Sequence, residues 1–166
     1  MVRIRSALAV ALVLALLLPS SAMAGTVREY QLQYEPTGEV DGALMIVSAL
    51  VDPQLSLPVT ISVPAPHGST LLWAGEVLGG DPAQDPSRTT TVEQVGDMDV
   101  YTFTVEQSYT AQLELRLPAP SVSGSTVSAS VDWTNPGGAV LVTAAVIVEA
   151  GAKDVKTEPK LTGNVQ

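Results

Sequence analysis

Leu57 to Gly80 reads LPVTISVPAPHGSTLLWAGEVLGG, and the folding of this stretch decides how the rest of the chain is arranged. Val59, Ile61 and Val63 alternate with Thr60 and Ser62, the period of two of a strand buried on one face. A connection from Pro64 to Ser69 follows, with two prolines, a glycine and the only histidine of the chain, His67. Thr70 to Leu78 is a second apolar run around Trp73. The pattern predicts a hairpin with a stiff connection, lying in the middle of a sheet.

Working outward, strand-like runs recur on both sides. Tyr30, Leu32 and Tyr34 alternate with Gln31, Gln33 and Glu35, and Ala43 to Val51 is apolar except for Ser48. Both predict strands, the second a buried one. Gly79 to Arg88 is a loop whose two Asp-Pro steps push Asp81 and Asp85 away from helical geometry. Thr89 to Val95, rich in threonine, suits a sheet edge. The cleanest alternations are Tyr101, Phe103, Val105 and then Ala111, Leu113, Leu115, Leu117. Val127, Ala129, Val131 and Trp133 predict a further strand, and Ala139 to Val148 a last one, central and covered on both faces.

About nine such runs, separated by glycine and proline punctuation and without an amphipathic helix, predict an all-β, two-sheet antiparallel sandwich. An up-and-down barrel is the alternative. The length and spacing resemble immunoglobulin-like and fibronectin III-like sandwiches in architecture. The paired cysteines of an immunoglobulin domain are missing, and the resemblance implies no residue roles.

A chain of 166 residues suits one domain with a core that needs no staples. With 46% hydrophobic but only 4% aromatic residues, that core is built from Val, Leu, Ile and Ala. Arg3 and Arg5, the apolar run Ala7 to Leu18, Pro19 and Ala22-Met23-Ala24 form the pattern of a signal peptide over residues 1–24. The expected organisation is therefore a β-sandwich over 25–149 and a flexible C-terminal tail over 150–166, secreted or held in the cell envelope. No cysteine is present to carry a lipid or form a disulfide, and no stable membrane insertion is expected after cleavage.

Without Arg3 and Arg5 the chain keeps 6 basic against 17 acidic residues. That balance argues against nucleic acid and anionic membrane as partners. It suits solubility outside the cell.

Groups able to do chemistry are few. A Ser-His-Asp triad would rest entirely on His67, and no thiol exists. Carboxylates at Asp81, Asp85, Asp97, Asp99 and Glu76 raise a glycosidase pair or a calcium site, but none shows the spacing of either. Met45, Met98 and His67 raise a copper site, with Met98 as its exposed member. Trp73, Tyr101 and Tyr109 offer stacking faces, although Trp73 and Tyr101 fall in register with core residues.

The sequence points to a secreted, non-catalytic β-sandwich that contacts an envelope protein or glycan, with no cofactor and no metal. Pro64, Pro66, His67 and Trp73 are its expected interaction residues. An exported copper or calcium carrier is the alternative, and a hydrolase comes third.

Overall fold

The computed structural model describes residues 26–36, 41–138, 140–148, 153, 154 and 156. The expected signal peptide and nearly all of the expected tail lie outside the described residues. The strands are β1 (Val27–Glu35), β2 (Ala43–Val51), β3 (Val59–Pro66), β4 (Thr70–Glu76) and β5 (Thr91–Val95), then β6 (Met98–Val105) and β7 (Thr110–Leu117). Three short ones complete the set: β8 (Ser121–Ser123), β9 (Thr126–Ser128) and β10 (Leu141–Val146). A 3-10 turn, Pro82–Gln84, sits between β4 and β5.

Two sheets pack face to face around one core. The larger has the order β10-β1-β2-β7-β4, the smaller β3-β6-β5, and β8 and β9 form a separate ribbon. The protein is thus an all-β sandwich, and its sheets do not join into the closed ring of a barrel. The period-two pattern is the cause. In β7 Ala111, Leu113, Leu115 and Leu117 are buried, and in β6 Tyr101, Phe103 and Val105 meet them from the other sheet. β2 buries Ala43, Met45, Val47, Ala49 and Val51, while Leu44, Ile46 and Leu50 on its other face are half-buried. Gly42 enters β2 at φ 132°, and a Cβ there would collide with the Leu117 carbonyl, so only glycine lets the two strands close.

The stretch from Leu57 to Gly80 differs from its expected form. β3 pairs with β6, and β4 pairs with β7 in the opposite sheet. The 67–69 connection is therefore an arch between layers rather than a hairpin turn, and both strands lie at sheet edges. Pro64 and Pro66 belong to β3 itself. A strand tolerates them because, at an edge, a missing N–H removes no ladder bond. That edge is closed by side chains: the Tyr30 hydroxyl donates to the Ser62 carbonyl at 2.8 Å and the Trp133 indole N–H to the Pro64 carbonyl at 2.8 Å. Tyr30 and Trp133 also meet edge to face, with centroids 5.3 Å apart. Burial pushes the Tyr30 phenol well above its ordinary pKa.

Three further expectations are corrected. Of the run Val127 to Trp133 only its start is strand, in β9; Val131 and Trp133 are half-buried and pack on the core without a ladder. The last apolar run is not central. β10 is an edge strand, parallel to β1, with every residue exposed. All other neighbouring strands are antiparallel. Met98, expected at the surface, is buried at 2% exposure, because it begins the central strand of the smaller sheet between Pro66 and Val95.

Candidate functional site

The two ends of the sandwich carry different chemistry. At one end the arch between β3 and β4 meets the β5–β6 turn and the start of the β7–β8 connection. The His67 amide donates to the Asp97 carbonyl at 3.1 Å and the Ser69 amide to the Pro66 carbonyl at 3.2 Å, which makes 66–69 a tight turn. Gly68 takes a φ of 81°, the left-handed region such a turn needs. Asp99 ties the turn down, since its carboxylate accepts from His67 Nδ1 at 2.8 Å and from the Gly68 amide at 3.3 Å. Because a carboxylate only accepts, Nδ1 carries the proton, and Nε2 is the ring nitrogen left for another partner. The His67 side chain is 55% exposed. Tyr101, two residues on, has its phenol pKa raised by burial and further by the charge of Asp99.

Beside this turn lies an open cleft of about 340 Å³. Pro66, Leu117, Pro118 and Val131 give it apolar walls, and His67, Asp97, Asp132, Ser69 and Ser130 give it polar groups. The Ser69 hydroxyl oxygen is buried and has no hydrogen-bond partner. A second cleft of about 330 Å³, with Asp41, Thr70 and Arg116, shares Leu117 and Pro118 with the first. The two therefore flank one ridge, where β7 ends.

Pro66 and His67 line the first cleft, but the structure does not bring Pro64 and Trp73 to it. Pro64 is buried within β3. Trp73 is half-buried and pairs with Glu114 on the outer face of the larger sheet, because a bulge between Leu71 and Trp73 turns its side chain outward. Its ring lies over Gly75, where a Cβ would strike both the ring and the Pro86 carbonyl. Tyr109 is tied by its hydroxyl to the Leu55 carbonyl at 2.8 Å. Asp132, Ser69 and Ser130 were not among the expected interaction residues. They come from segments far apart in the chain, and no local pattern joins them.

At the other end sits a buried ion pair. Glu76, fully buried, faces inward at the end of β4. One carboxylate oxygen accepts from the Glu106 amide at 2.9 Å and from Arg88 Nε at 2.7 Å; the other accepts from the amides of Gln107 and Ser108, both at 2.7 Å. Arg88 also bridges to Glu106 at 2.9 Å. Burial alone would raise the Glu76 pKa and is the largest single influence. The three amides and Arg88 together outweigh it, and the carboxyl is held below its ordinary value. Arg88 is pushed up in turn, first by its hydrogen bond to Glu76. Such a carboxylate has no free lone pair in reach of a substrate and serves as a lock between β4, the β4–β5 connection and the β6–β7 loop.

Two further carboxylates hold turns. Asp81 accepts from the Ala83 amide at 3.0 Å and Asp85 from the Leu78 amide at 2.8 Å, with both aspartates extended as their following prolines require. Met45 and Met98 are each 2% exposed, so the two sulfur donors of the copper reading lie in the interior and away from the exposed His67 ring. Among the described residues no three His, Cys, Asp or Glu side chains converge as a metal site would need, and no helix is long and apolar enough to cross a membrane.

Fold and site together define a β-sandwich whose loops gather at one end around a preorganised His–Asp pair. No family, no curated protein and no solved structure matches the chain.

Proposed function

We propose that the protein is an exported, non-catalytic binding module of the cell envelope, and that it holds its protein or glycan partner at the His67 end of the sandwich. The observation that carries this reading is the cleft there. A histidine fixed by Asp99, two further carboxylates, and a buried Ser69 hydroxyl without a partner surround apolar walls. That mixture of a few placed polar groups with an apolar surface suits recognition. The tight turn, pinned by Asp99, makes the geometry available before a partner arrives, which lowers the ordering cost of binding. Support for binding over catalysis comes from bonding already made. Glu76 is saturated, and Asp81 and Asp85 hold turns. Export is supported by the basic start, the apolar run and the Ala22-Met23-Ala24 site.

Two measurements test the proposal. Protein recovered from an export-competent host should have the mass of a chain beginning at Gly25; a mass retaining residues 1–24 would overturn export. Immobilised protein should retain envelope material that the double variant His67→Ala, Asp132→Asn loses while its circular dichroism stays unchanged. Retention unaffected by the double variant would remove the His67 cleft as the binding site.

A further inference from the structure

A sheet edge with unpaired backbone groups is a template for another strand, and folded proteins usually defend it with a charge, a proline or a bulge. The two sheets have open edges of contrasting kinds. β5 has Glu93 at its centre and Asp97 just beyond its end. β10 has no such defence: from Val140 to Val148 the sequence VLVTAAVIV holds no charge, no proline and no glycine. Its apolar side chains are nonetheless at the surface, with Leu141 62%, Val142 42%, Ile147 44% and Val146 37% exposed.

The backbone shows which groups are open. The Ile147 amide donates to the Tyr34 carbonyl of β1 at 2.8 Å. In a strand successive residues turn their backbone groups to opposite sides, so the odd-numbered residues face β1. Val142, Ala144 and Val146 then turn their N–H and C=O groups away from the sheet, and among the described residues no strand pairs with that side.

The segment is also nearly its own mirror about Ala144. Val140 matches Val148, Leu141 matches Ile147, Val142 matches Val146, and Thr143 opposes Ala145. We infer that a second copy of this chain docks on β10, antiparallel and related by a two-fold axis through Ala144, to join two larger sheets into one. In that register the outward groups of Val142, Ala144 and Val146 meet those of Val146, Ala144 and Val142 of the second copy. Leu141 lies opposite Ile147, and Val142 opposite Val146, so that branched apolar side chains face each other across the join, as favoured cross-strand pairs do. A two-fold contact of this kind closes on itself and ends at a dimer. Charge selects the same edge. Two acidic bodies repel each other, and this neutral strip is where they approach with no like charges opposed.

The test uses the purified chain and its mass in solution by light scattering across a concentration series. A dimer is expected, and Ala144→Pro should halve the mass at equal concentration while the circular dichroism stays that of the native chain, since the lost N–H points away from β1. As a second pair of variants, Ala144→Lys and Ala144→Glu should each be monomeric, because like charges sit opposite at the axis, and mixing them should restore the dimer mass. A chain that is monomeric throughout the series overturns the inference, as does a dimer indifferent to Ala144→Pro. So does a mixture of the charged variants that stays monomeric. If a chain ending at Val148 dimerises where the full chain does not, residues 149–166 occupy the edge instead, and the inference fails for the intact protein.

Discussion

The Glu76–Arg88 and His67–Asp99 pairs use the same chemistry at opposite ends of the sandwich and do different work. Glu76 is fully buried and receives three backbone amides besides its guanidinium partner. His67 has one side-chain partner and lies largely in solvent. A charge pair removed from water is a structural commitment, because breaking it leaves an uncompensated buried charge. A pair in solvent adds little to stability and leaves its groups able to meet something else.

That contrast can be broken most forcefully at the buried end. Glu76→Gln keeps the shape but removes the buried negative charge that Arg88 faces, leaves it only the exposed Glu106, and should cost about 3–5 kcal/mol, read as a lower urea midpoint at unchanged slope. A loss under 1 kcal/mol would mean that the Glu76 end is no lock. Acid should act on the same group. The folded carboxyl titrates below its ordinary value of 4.5, so its contribution is complete above that pH and disappears as pH falls through the lower folded value. The stability gap between the native chain and Glu76→Gln should therefore narrow below about pH 4.5 and stay constant from pH 6 to 8; a gap independent of pH would contradict the assigned shift.

Tyr30→Phe sits between the extremes. It removes the hydroxyl bond that closes the β3 edge but keeps the ring against Trp133, and about 1 kcal/mol should be lost in the same urea titration. Smallest is His67→Ala, which should change stability by less than about 1 kcal/mol in thermal melts. A large loss there would make the arch a structural clamp and blur the division between the two ends.

Strand identity was readable where polar and apolar residues alternate strictly, as in Tyr101–Thr102–Phe103–Thr104–Val105, because one buried face imposes that period. Partners were less readable. A strand, a short connection and a second strand look alike in sequence whether the chain turns within one sheet or arches to another, which is why Leu57 to Gly80 reads as a hairpin. The run Ala139 to Val148 reads as a central strand for a related reason. Apolar composition signals a strand, but its place at the edge depends on pairing with β1 from the other end of the chain.

Glu76 did leave a trace: a carboxylate at the inward position of an apolar run, with Arg88 as the only base between Arg28 and Arg116. Its amide partners could not be read, since any residue supplies an N–H. The cleft around His67 was half visible. Its turn chemistry is local and legible, whereas Asp132 and Ser130 arrive from a segment without regular structure whose path only the folded chain reveals.

The parallel pairing of β1 with β10 also sets how the protein responds to pulling. Among the described residues the first and last strands are neighbours running in the same direction. A force that draws the two chain ends apart therefore slides one strand along the other and loads their hydrogen bonds together, where an antiparallel terminal pair would unzip bond by bond. Forced unfolding is governed by the rate of crossing the unfolding barrier rather than by equilibrium stability, so this joint would resist tension along the chain more than its exposed, lightly packed edge suggests.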